Sequence, residues 1–227
     1  MKLYHFLNEK YALQAIKHQM LKVSLLNDLN DPFELLAPNI AKSEDYDNFV
    51  KLKKKLSAKV NLLCFSESWH NPLMWSHYAD KHKGVALEFE SDEELQIVKY
   101  RNDRINYKFK DLLNDDKLAI EVLSTKYCAW CYEEERRFFL SKKEVVECGE
   151  FLFYKFTQNL QLTGVIAGAL SSISRADIIS NLPCGKEIKF IKSKLATDSF
   201  KIILEKDEKD EKDVTIKGKI DHKKRSK

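Results

Sequence analysis

Short strand-like runs and amphipathic helical segments alternate along this chain without a regular order, and this irregular order constrains the fold most. Leu3–Phe6, Val60–Ser66 and Val85–Glu90 have the apolar or alternating pattern of strands. Charged segments with helical periodicity lie between them, the longest from Ser43 to about Lys59. Because no βαβ repeat is present, the sequence predicts an α+β fold with mixed, mostly antiparallel sheets and flanking helices.

Glycine and proline are scarce, with six and four among 227 residues, which argues against long flexible linkers. We therefore expect one domain over residues 1–205, followed by a charged, flexible C-terminal tail over residues 206–227. Nine basic and seven acidic residues lie from Glu205 to Lys227, so that segment carries +2 of the total charge of +4. The rest of the chain has no strong generic signal for nucleic-acid binding.

Cysteine content and hydropathy predict a cytoplasmic protein. No segment has the roughly 20 apolar residues of a membrane-spanning helix, and the N-terminus becomes polar too early for a signal peptide. The five cysteines are an odd number, which favours free thiols in a reducing compartment. Cys128 and Cys131 form a CxxC without a second pair, which is a weak indication of zinc or redox chemistry, and no metal site is predicted.

Two further helical features are predicted around the middle of the chain. Ser91 and Glu94 have the spacing of a capping box, which predicts a helix start. The segment from Asp111 to about Tyr127 also has helical character.

Two candidate motifs lie near the N-terminus. His5, in Tyr4-His5-Phe6, would point to the opposite face of its strand from Tyr4, and a single structural hydrogen bond is its simplest role. The second motif runs from Leu29 to Glu34 and includes Asn30, Asp31 and Pro32. Asp31 and Glu34 would meet if Asp31 capped a helix beginning at Pro32, although a capped turn already explains these residue types.

The third motif combines Cys64-Phe65-Ser66 with the segment from Met74 to Gly84. On a helix, Trp75, Tyr78 and His82 would share one side. Such a stripe is usually core packing, but the polar edges of these rings also suit the wall of a pocket.

The fourth motif is Trp130–Arg137, in which charged residues lie between aromatic ones. In an extended strand, Glu133, Glu135 and Arg137 would share one face. A solvated edge is the ordinary explanation for such a run. If the carboxylates are buried they need a partner, and Arg137 is the nearest candidate.

These four motifs, in this order, resemble a bacterial family catalogued as a domain of unknown function, number 2971. The resemblance rests on the N-terminal Leu-Tyr-His, Asn30–Glu34, Cys64–Ser66, Met74–Tyr78 with Gly84, and Trp130–Arg137, and it extends to about residue 205. The family name implies no activity.

The order of the motifs also resembles, more weakly, that of ADP-ribosyltransferases. This resemblance implies a fold of that type and NAD as the substrate, with His5, Ser66, Trp75 and Tyr78 binding the dinucleotide. Glu133 or Glu135 would stabilise the oxocarbenium-like state at the ribose. Asn30, Asp31, Glu34 and Arg137 would support the site. It further implies a toxin or phage-defence effector that modifies a macromolecular target.

Two alternatives belong to other functional classes. One is a metal-dependent hydrolase or nuclease that uses Asp31, Glu34, Glu133 and Glu135, since acidic clusters bind Mg²⁺. The other is a non-catalytic binding or regulatory module, in which the aromatic motifs are core and the charges form structural salt bridges.

Overall fold

A computed structural model describes residues 1–31, 33–34, 38, 43–57, 60–106, 115–205 and 215–219. Five α-helices lie in this part of the chain: α1 (Glu9–His18), α2 (Ser43–Ser57), α3 (Pro72–Tyr78), α4 (Asp116–Leu123) and α5 (Arg175–Asn181). The strands are β1 (Lys2–Leu7), β2 (Met20–Lys22), β3 (Ser24–Leu25), β4 (Asn61–Ser66), β5 (Val85–Ser91), β6 (Gln96–Ile97), β7 (Lys99–Arg101), β8 (Thr125–Tyr127), β9 (Glu135–Leu140), β10 (Val146–Cys148), β11 (Phe151–Lys155), β12 (Leu160–Ala167), β13 (Glu187–Leu195), β14 (Ile202–Leu204) and β15 (Thr215–Lys217). Leu26–Asp28 and Cys128–Glu133 are short 3-10 helices.

The chain forms two compact units. Unit 1 comprises Met1–Leu21, Phe65–Glu93 and Lys155–Lys227, and unit 2 comprises Lys22–Cys64 and Glu94–Tyr154. Helices occur together with sheets whose strand pairs are mostly antiparallel, β12–β13 and β7–β8 being parallel. The predicted α+β class is therefore confirmed. Among the described residues, no helix has the length and apolar content to span a membrane.

In unit 1 the central strand is β5. It pairs antiparallel with β1, from Lys2 opposite Glu90 to Leu7 opposite Val85, and antiparallel with β12 on its other side. Strand β13 then pairs parallel with β12, and β14 and β15 both pair antiparallel with β13. The rings of Phe65 and Phe156 pack edge-on against Phe89, which is fully buried. This aromatic contact forms part of the core of unit 1.

Asn8 and Glu9 explain where helix α1 begins. The side chain of Asn8 accepts a hydrogen bond from the backbone N–H of Tyr11 at 2.9 Å, and Glu9 follows in the first turn. The Glu9 carboxylate also accepts hydrogen bonds from the backbone N–H groups of Ser172 and Ile173 at 2.8 and 3.0 Å. This carboxylate therefore anchors the segment before α5 to the N-terminus of α1.

Helix α3 ends earlier than the predicted aromatic stripe requires. It stops at Tyr78, and Asp80, Lys81 and His82 then have left-handed backbone angles, with φ of 45°, 54° and 70°. Gly84 closes this turn, because a Cβ at that position would lie 2.2 Å from the carbonyl oxygen of Leu7. The prediction that His82 shares a helical face with Trp75 and Tyr78 is wrong, since the left-handed turn removes His82 from the helix.

In unit 2 an apolar core packs helices α2 and α4 against strand β4. Its buried members come from the first 3-10 helix, α2, β4 and α4, and they are Leu26, Phe49, Leu52, Leu62, Val122 and Leu123. Strand β3 pairs with β4, β6 pairs with β9, and β10 pairs with β11, all antiparallel. Strand β9 follows the second 3-10 helix directly and carries part of the fourth motif.

Two helix predictions need correction. Ser91 ends strand β5, and its hydroxyl accepts a hydrogen bond from the N–H of Glu93 at 3.1 Å, so the predicted capping box is instead a local turn. Residues 111–114 lie outside the described residues, and α4 ends at Leu123. Thr125–Tyr127 form a strand because they pair with β7, which removes them from the predicted helix.

The segment beyond residue 205 contains one described element. Residues 206–214 and 220–227 lie outside the described residues, whereas Thr215–Lys217 pair with β13 as β15. Ile216 in this strand is buried. The predicted domain boundary at residue 205 and the flexibility of the remainder stay predictions.

Candidate functional site

A buried cluster of charged side chains lies in unit 2, and Arg137 is at its centre. Its guanidinium donates to both carboxylate oxygens of Glu34, with Nη1–Oε1 at 2.5 Å and Nη2–Oε2 at 3.1 Å. It also donates to both oxygens of Glu135, with Nε–Oε1 at 2.9 Å and Nη2–Oε2 at 3.2 Å. The carbonyl oxygen of Leu123 accepts a further bond from Nη1. All five N–H donors of the guanidinium are thus used within the protein.

Lys126 extends this cluster to the second predicted carboxylate. Its Nζ lies 2.6 Å from Oε2 of Glu133 and 2.8 Å from Oε2 of Glu135. We call Glu34, Lys126, Glu133, Glu135 and Arg137 the ionic cluster; three carboxylates and two cations give it a net charge of −1. None of its members is more than 7% exposed.

The charges of the ionic cluster stabilise one another. Burial alone would raise the pKa of Glu135, but the charges of Arg137 and Lys126 outweigh it and lower this pKa to about 2. Burial would likewise lower the pKa of Lys126, and the negative charges of Glu135 and Glu133 raise it above its ordinary value instead. These groups therefore remain ionised at neutral pH although they are removed from solvent.

Cys64 adds a neutral donor to the cluster. Burial, together with the charge of Glu135, raises the pKa of the Cys64 thiol well above its usual range. The thiol therefore keeps its proton and donates a hydrogen bond to Glu135, which helps to lower the pKa of that carboxyl group.

The predicted catalytic carboxylates are thus buried and bonded to cations. Glu133 and Glu135 are 3% and 5% exposed. Arg137 is a partner of Glu135, and it is the residue that the sequence offered if the carboxylates were buried. Lys126 is the partner that sequence reasoning missed, because its segment was predicted to be helical and a lysine at the end of a helix gives no signal of burial.

The Leu29–Glu34 motif supplies one member of the ionic cluster. Oδ1 of Asp31 accepts from the N–H of Phe33 at 2.9 Å, and the N–H of Glu34 donates to the carbonyl oxygen of Asp31 at 3.0 Å. This is the predicted capped turn, and Pro32 lies outside the described residues. The turn holds Glu34, which is 1% exposed, against Arg137, whereas Asn30 is exposed. Within the described part of the chain, Oδ2 of the buried Asp31 has no hydrogen-bond partner.

The four predicted cofactor-binding residues lie in unit 1. Ser66 pairs in register with Tyr4, so its side chain lies on the opposite face of the sheet from that of His5. Ser66 is 1% exposed and donates to the carbonyl oxygen of Ser68 at 2.8 Å. Trp75 is fully buried, and its Nε1 donates to the carbonyl oxygen of Trp69 at 2.6 Å. His5 and Tyr78 are half-buried. The NAD-binding role of these residues stays a prediction.

A cavity of about 250 Å³ in unit 2 is lined by cationic and aromatic side chains. Arg101 and Arg104 are exposed on its wall, and Lys126 of the ionic cluster also lines it. Phe33 and Tyr127 contribute exposed rings, and the Arg104 guanidinium lies 5.6 Å from the centre of the Phe33 ring. We call this cavity the basic pocket; its remaining lining residues are Asn102, Asp103 and Thr125.

Three of the four carboxylates named in the metal-dependent alternative are paired with cations. Arg137 binds Glu34, and Lys126 binds Glu133 and Glu135. Among the described residues, no group of three or more His, Cys, Asp or Glu side chains is arranged to hold a metal ion.

Comparison with known protein families gives one match. The family described as a protein of unknown function (DUF2971) matches residues 74–138, which run from α3 into β9. The resemblance to this family is therefore confirmed over a segment that contains Met74–Tyr78, Gly84 and Trp130–Arg137. No curated protein and no solved structure matches this chain. The likeness to ADP-ribosyltransferases stays a prediction.

Proposed function

We propose that this protein is a binding module whose ligand is a small anion with a planar ring, of the nucleotide class, held in the basic pocket. The observation that carries the proposal is the convergence of Arg101 and Arg104 with two exposed aromatic rings on one cavity. One guanidinium group can donate two parallel hydrogen bonds to two phosphate oxygens, and aromatic rings stack on bases. A pocket with both classes of side chain suits a phosphorylated nucleoside better than it suits a phosphate ion alone or a base alone.

The charge of the basic pocket favours an anion. Arg101 and Arg104 face one carboxylate, Asp103, so these three residues carry a net charge of +1. Lys126 also lines the cavity, but Glu133 and Glu135 already balance its charge. The attraction for an anionic ligand must therefore come chiefly from the two arginines.

The size of the basic pocket limits the ligand. Sites for drug-sized molecules usually enclose roughly 300–1,000 Å³. A volume of about 250 Å³ lies just below that range, so the pocket suits a mononucleotide or one half of a dinucleotide such as NAD.

Calorimetric titration of the full chain with AMP, NAD and inorganic pyrophosphate tests this proposal. Arg101→Gln and Arg104→Gln should each weaken AMP and pyrophosphate binding by roughly tenfold or more, because a hydrogen bond to a charged group contributes about 1.5–3 kcal/mol. Tyr127→Ala should weaken AMP binding more than pyrophosphate binding, because only AMP has a ring to stack; Phe33 is left intact because the Arg104 guanidinium packs over its ring.

The matched control for these titrations is Lys143→Gln, which removes a positive charge from an exposed residue outside the pocket lining. This variant should bind AMP like the wild type. The proposal fails if the wild type binds none of the three compounds saturably, or if the arginine variants match the control.

The NAD-consuming enzyme is the second candidate, and one contact favours it. Lys126 lines the basic pocket and lies within 2.8 Å of both predicted catalytic carboxylates. For Glu133 or Glu135 to reach a ribose in the pocket, Lys126 would have to move away. Release of nicotinamide from NAD is the assay. Glu133→Gln and Glu135→Gln variants that remain folded, as judged by circular dichroism, should then lose it; full turnover in both would exclude these carboxylates as catalytic groups.

A further inference from the structure

Two cysteines lie on the same turn of the second 3-10 helix, Cys128–Glu133. Cys128 is half-buried and Cys131 is exposed, and both are free thiols. The CxxC spacing alone is a weak indication of redox chemistry, because the backbone conformation between two such cysteines decides whether they can form a bond.

A 3-10 backbone brings these two thiols together. It has three residues per turn, so the side chains at positions i and i+3 are eclipsed. With a rise of about 2.0 Å per residue, the two Cα atoms lie about 6 Å apart. Disulfides join Cα atoms separated by roughly 4.4–6.8 Å. The pair therefore meets the Cα spacing of a disulfide, and the turn must tighten on oxidation to bring the two Cβ atoms from about 6 Å to within the roughly 3.5–4.5 Å that the bond needs.

We propose that Cys128 and Cys131 form a reversible disulfide by exchange with a low-molecular-weight disulfide such as glutathione disulfide. The Cys131 thiol, which is the more exposed of the two, loses its proton, and its sulfur attacks one sulfur of the external disulfide. That S–S bond breaks, and the first glutathione leaves with the bonding pair and takes up a proton. Cys128, after losing its own proton, then attacks the Cys131 sulfur and displaces the second glutathione. Two protein thiols are oxidised and one external disulfide is reduced to two thiols.

The reduced form contains a contact that the disulfide removes. The Cys128 thiol donates a hydrogen bond to Oδ1 of Asn102, which directly follows β7. A disulfide sulfur has no proton to donate, so oxidation releases Asn102 from the 3-10 helix. Amide hydrogen exchange in the peptide that contains Asn102 should therefore become faster on oxidation.

The test equilibrates the full chain with mixtures of reduced and oxidised glutathione, blocks the remaining thiols by alkylation and maps them by mass spectrometry. The wild type should yield an internally cross-linked peptide that contains Cys128 and Cys131. Cys148 is also exposed but lies on β10, outside the CxxC, and should carry only a glutathione adduct. Because the second step is intramolecular, half-oxidation of the pair should need at least about tenfold less glutathione disulfide than half-modification of Cys148.

Two variants complete the test. Cys131→Ser should abolish the cross-link and leave Cys128 as a thiol or a glutathione adduct. Cys148→Ser, a matched change at another exposed cysteine, should keep the cross-link. The proposal is overturned if the wild type carries glutathione adducts on Cys128 and Cys131 without a cross-linked peptide, a result that needs no variant to fold. It is also overturned if amide exchange around Asn102 is the same in both redox forms.

Discussion

Replacing Arg137 by methionine tests how strongly the ionic cluster stabilises unit 2. The substitution keeps a long side chain at a fully buried position but removes the cation and all five of its hydrogen bonds. Glu34 then loses its hydrogen-bonded cation, and Glu135 keeps only Lys126. The net charge of the cluster changes from −1 to −2.

The expected loss of stability at pH 7 is large. Removing one partner of a buried ion pair usually costs about 3–5 kcal/mol, because the other charge stays buried without compensation. Domains of this kind have total stabilities of about 5–15 kcal/mol, so Arg137→Met should remove a substantial part of the free energy of unfolding.

Urea unfolding followed by circular dichroism and tryptophan fluorescence is the assay, and coincident transitions would justify a two-state analysis. Arg136→Met is the matched control; this half-buried neighbour on β9 should lose less than about 1 kcal/mol. Arg137→Lys keeps the charge without the planar fork and should give an intermediate loss, which remains measurable if the methionine variant does not fold. A loss below about 1 kcal/mol in Arg137→Met, or one equal to that of the control, would refute this account of the cluster.

Three further predictions concern acid, alkali and a tight turn. The folded-state pKa of Glu135, about 2, lies below its ordinary value of 4.5, so its contribution of about 3 kcal/mol is present above pH 4.5 and lost as pH falls to 2. Urea midpoints measured against pH should show this loss in the wild type and a flatter acid limb in Glu135→Gln. Burial, and then the charge of Glu88, raises the pKa of Tyr4 to about 12, so the unfolded state loses this proton first and stability falls from pH 10 to 12. Tyr4→Phe should lessen that fall, of which part stays because burial also raises the pKa of Tyr100, and should remove one late-ionising phenol from the absorbance of the folded protein at 295 nm. Gly84→Ala should lower the Tm markedly because its Cβ would lie 2.2 Å from a backbone oxygen, while Gly164→Ala, whose nearest contacts are at 3.4 Å, should lower it far less in calorimetry.

The fourth motif shows why part of the site was predictable from sequence. An extended strand would place Glu133, Glu135 and Arg137 on one face, and all three side chains are indeed buried while Glu134 is exposed. The backbone is different, because Glu133 ends a 3-10 helix and Glu134 has a φ of 45° before β9 begins. Because Glu134 is left-handed, the chain turns there. The side chains of Glu133 and Glu135 are therefore still buried on either side of the exposed Glu134. The pattern therefore grouped these three side chains on one face, but it favoured a solvated edge over burial and missed the backbone that buries them.

Local sequence patterns could not have predicted the other members of the ionic cluster. Glu34 and Arg137 are 103 positions apart in the chain, and no periodicity relates residues at that separation. Lys126 lies on a strand, β8, that exists because β7 pairs with it, and a short strand of this kind follows from tertiary pairing more than from propensity. Strands β4 and β5, whose sequences are apolar or alternate, each differ from the predicted range by one residue.

The ionic cluster and the basic pocket share one residue, and this sharing determines how the proposed ligand is held. Ion pairs with Glu133 and Glu135 balance the charge of Lys126, so an anion in the pocket gains little long-range attraction from Lys126. Arg101 and Arg104 lie exposed on the wall of the same cavity, where salt screens their charges. Affinity for a phosphorylated ligand should therefore fall as ionic strength rises, and loss of either arginine should remove most of that dependence. The ionic cluster contributes by a different route: it keeps Lys126 and strand β8 in place, so that the pocket has a fixed wall before any ligand arrives.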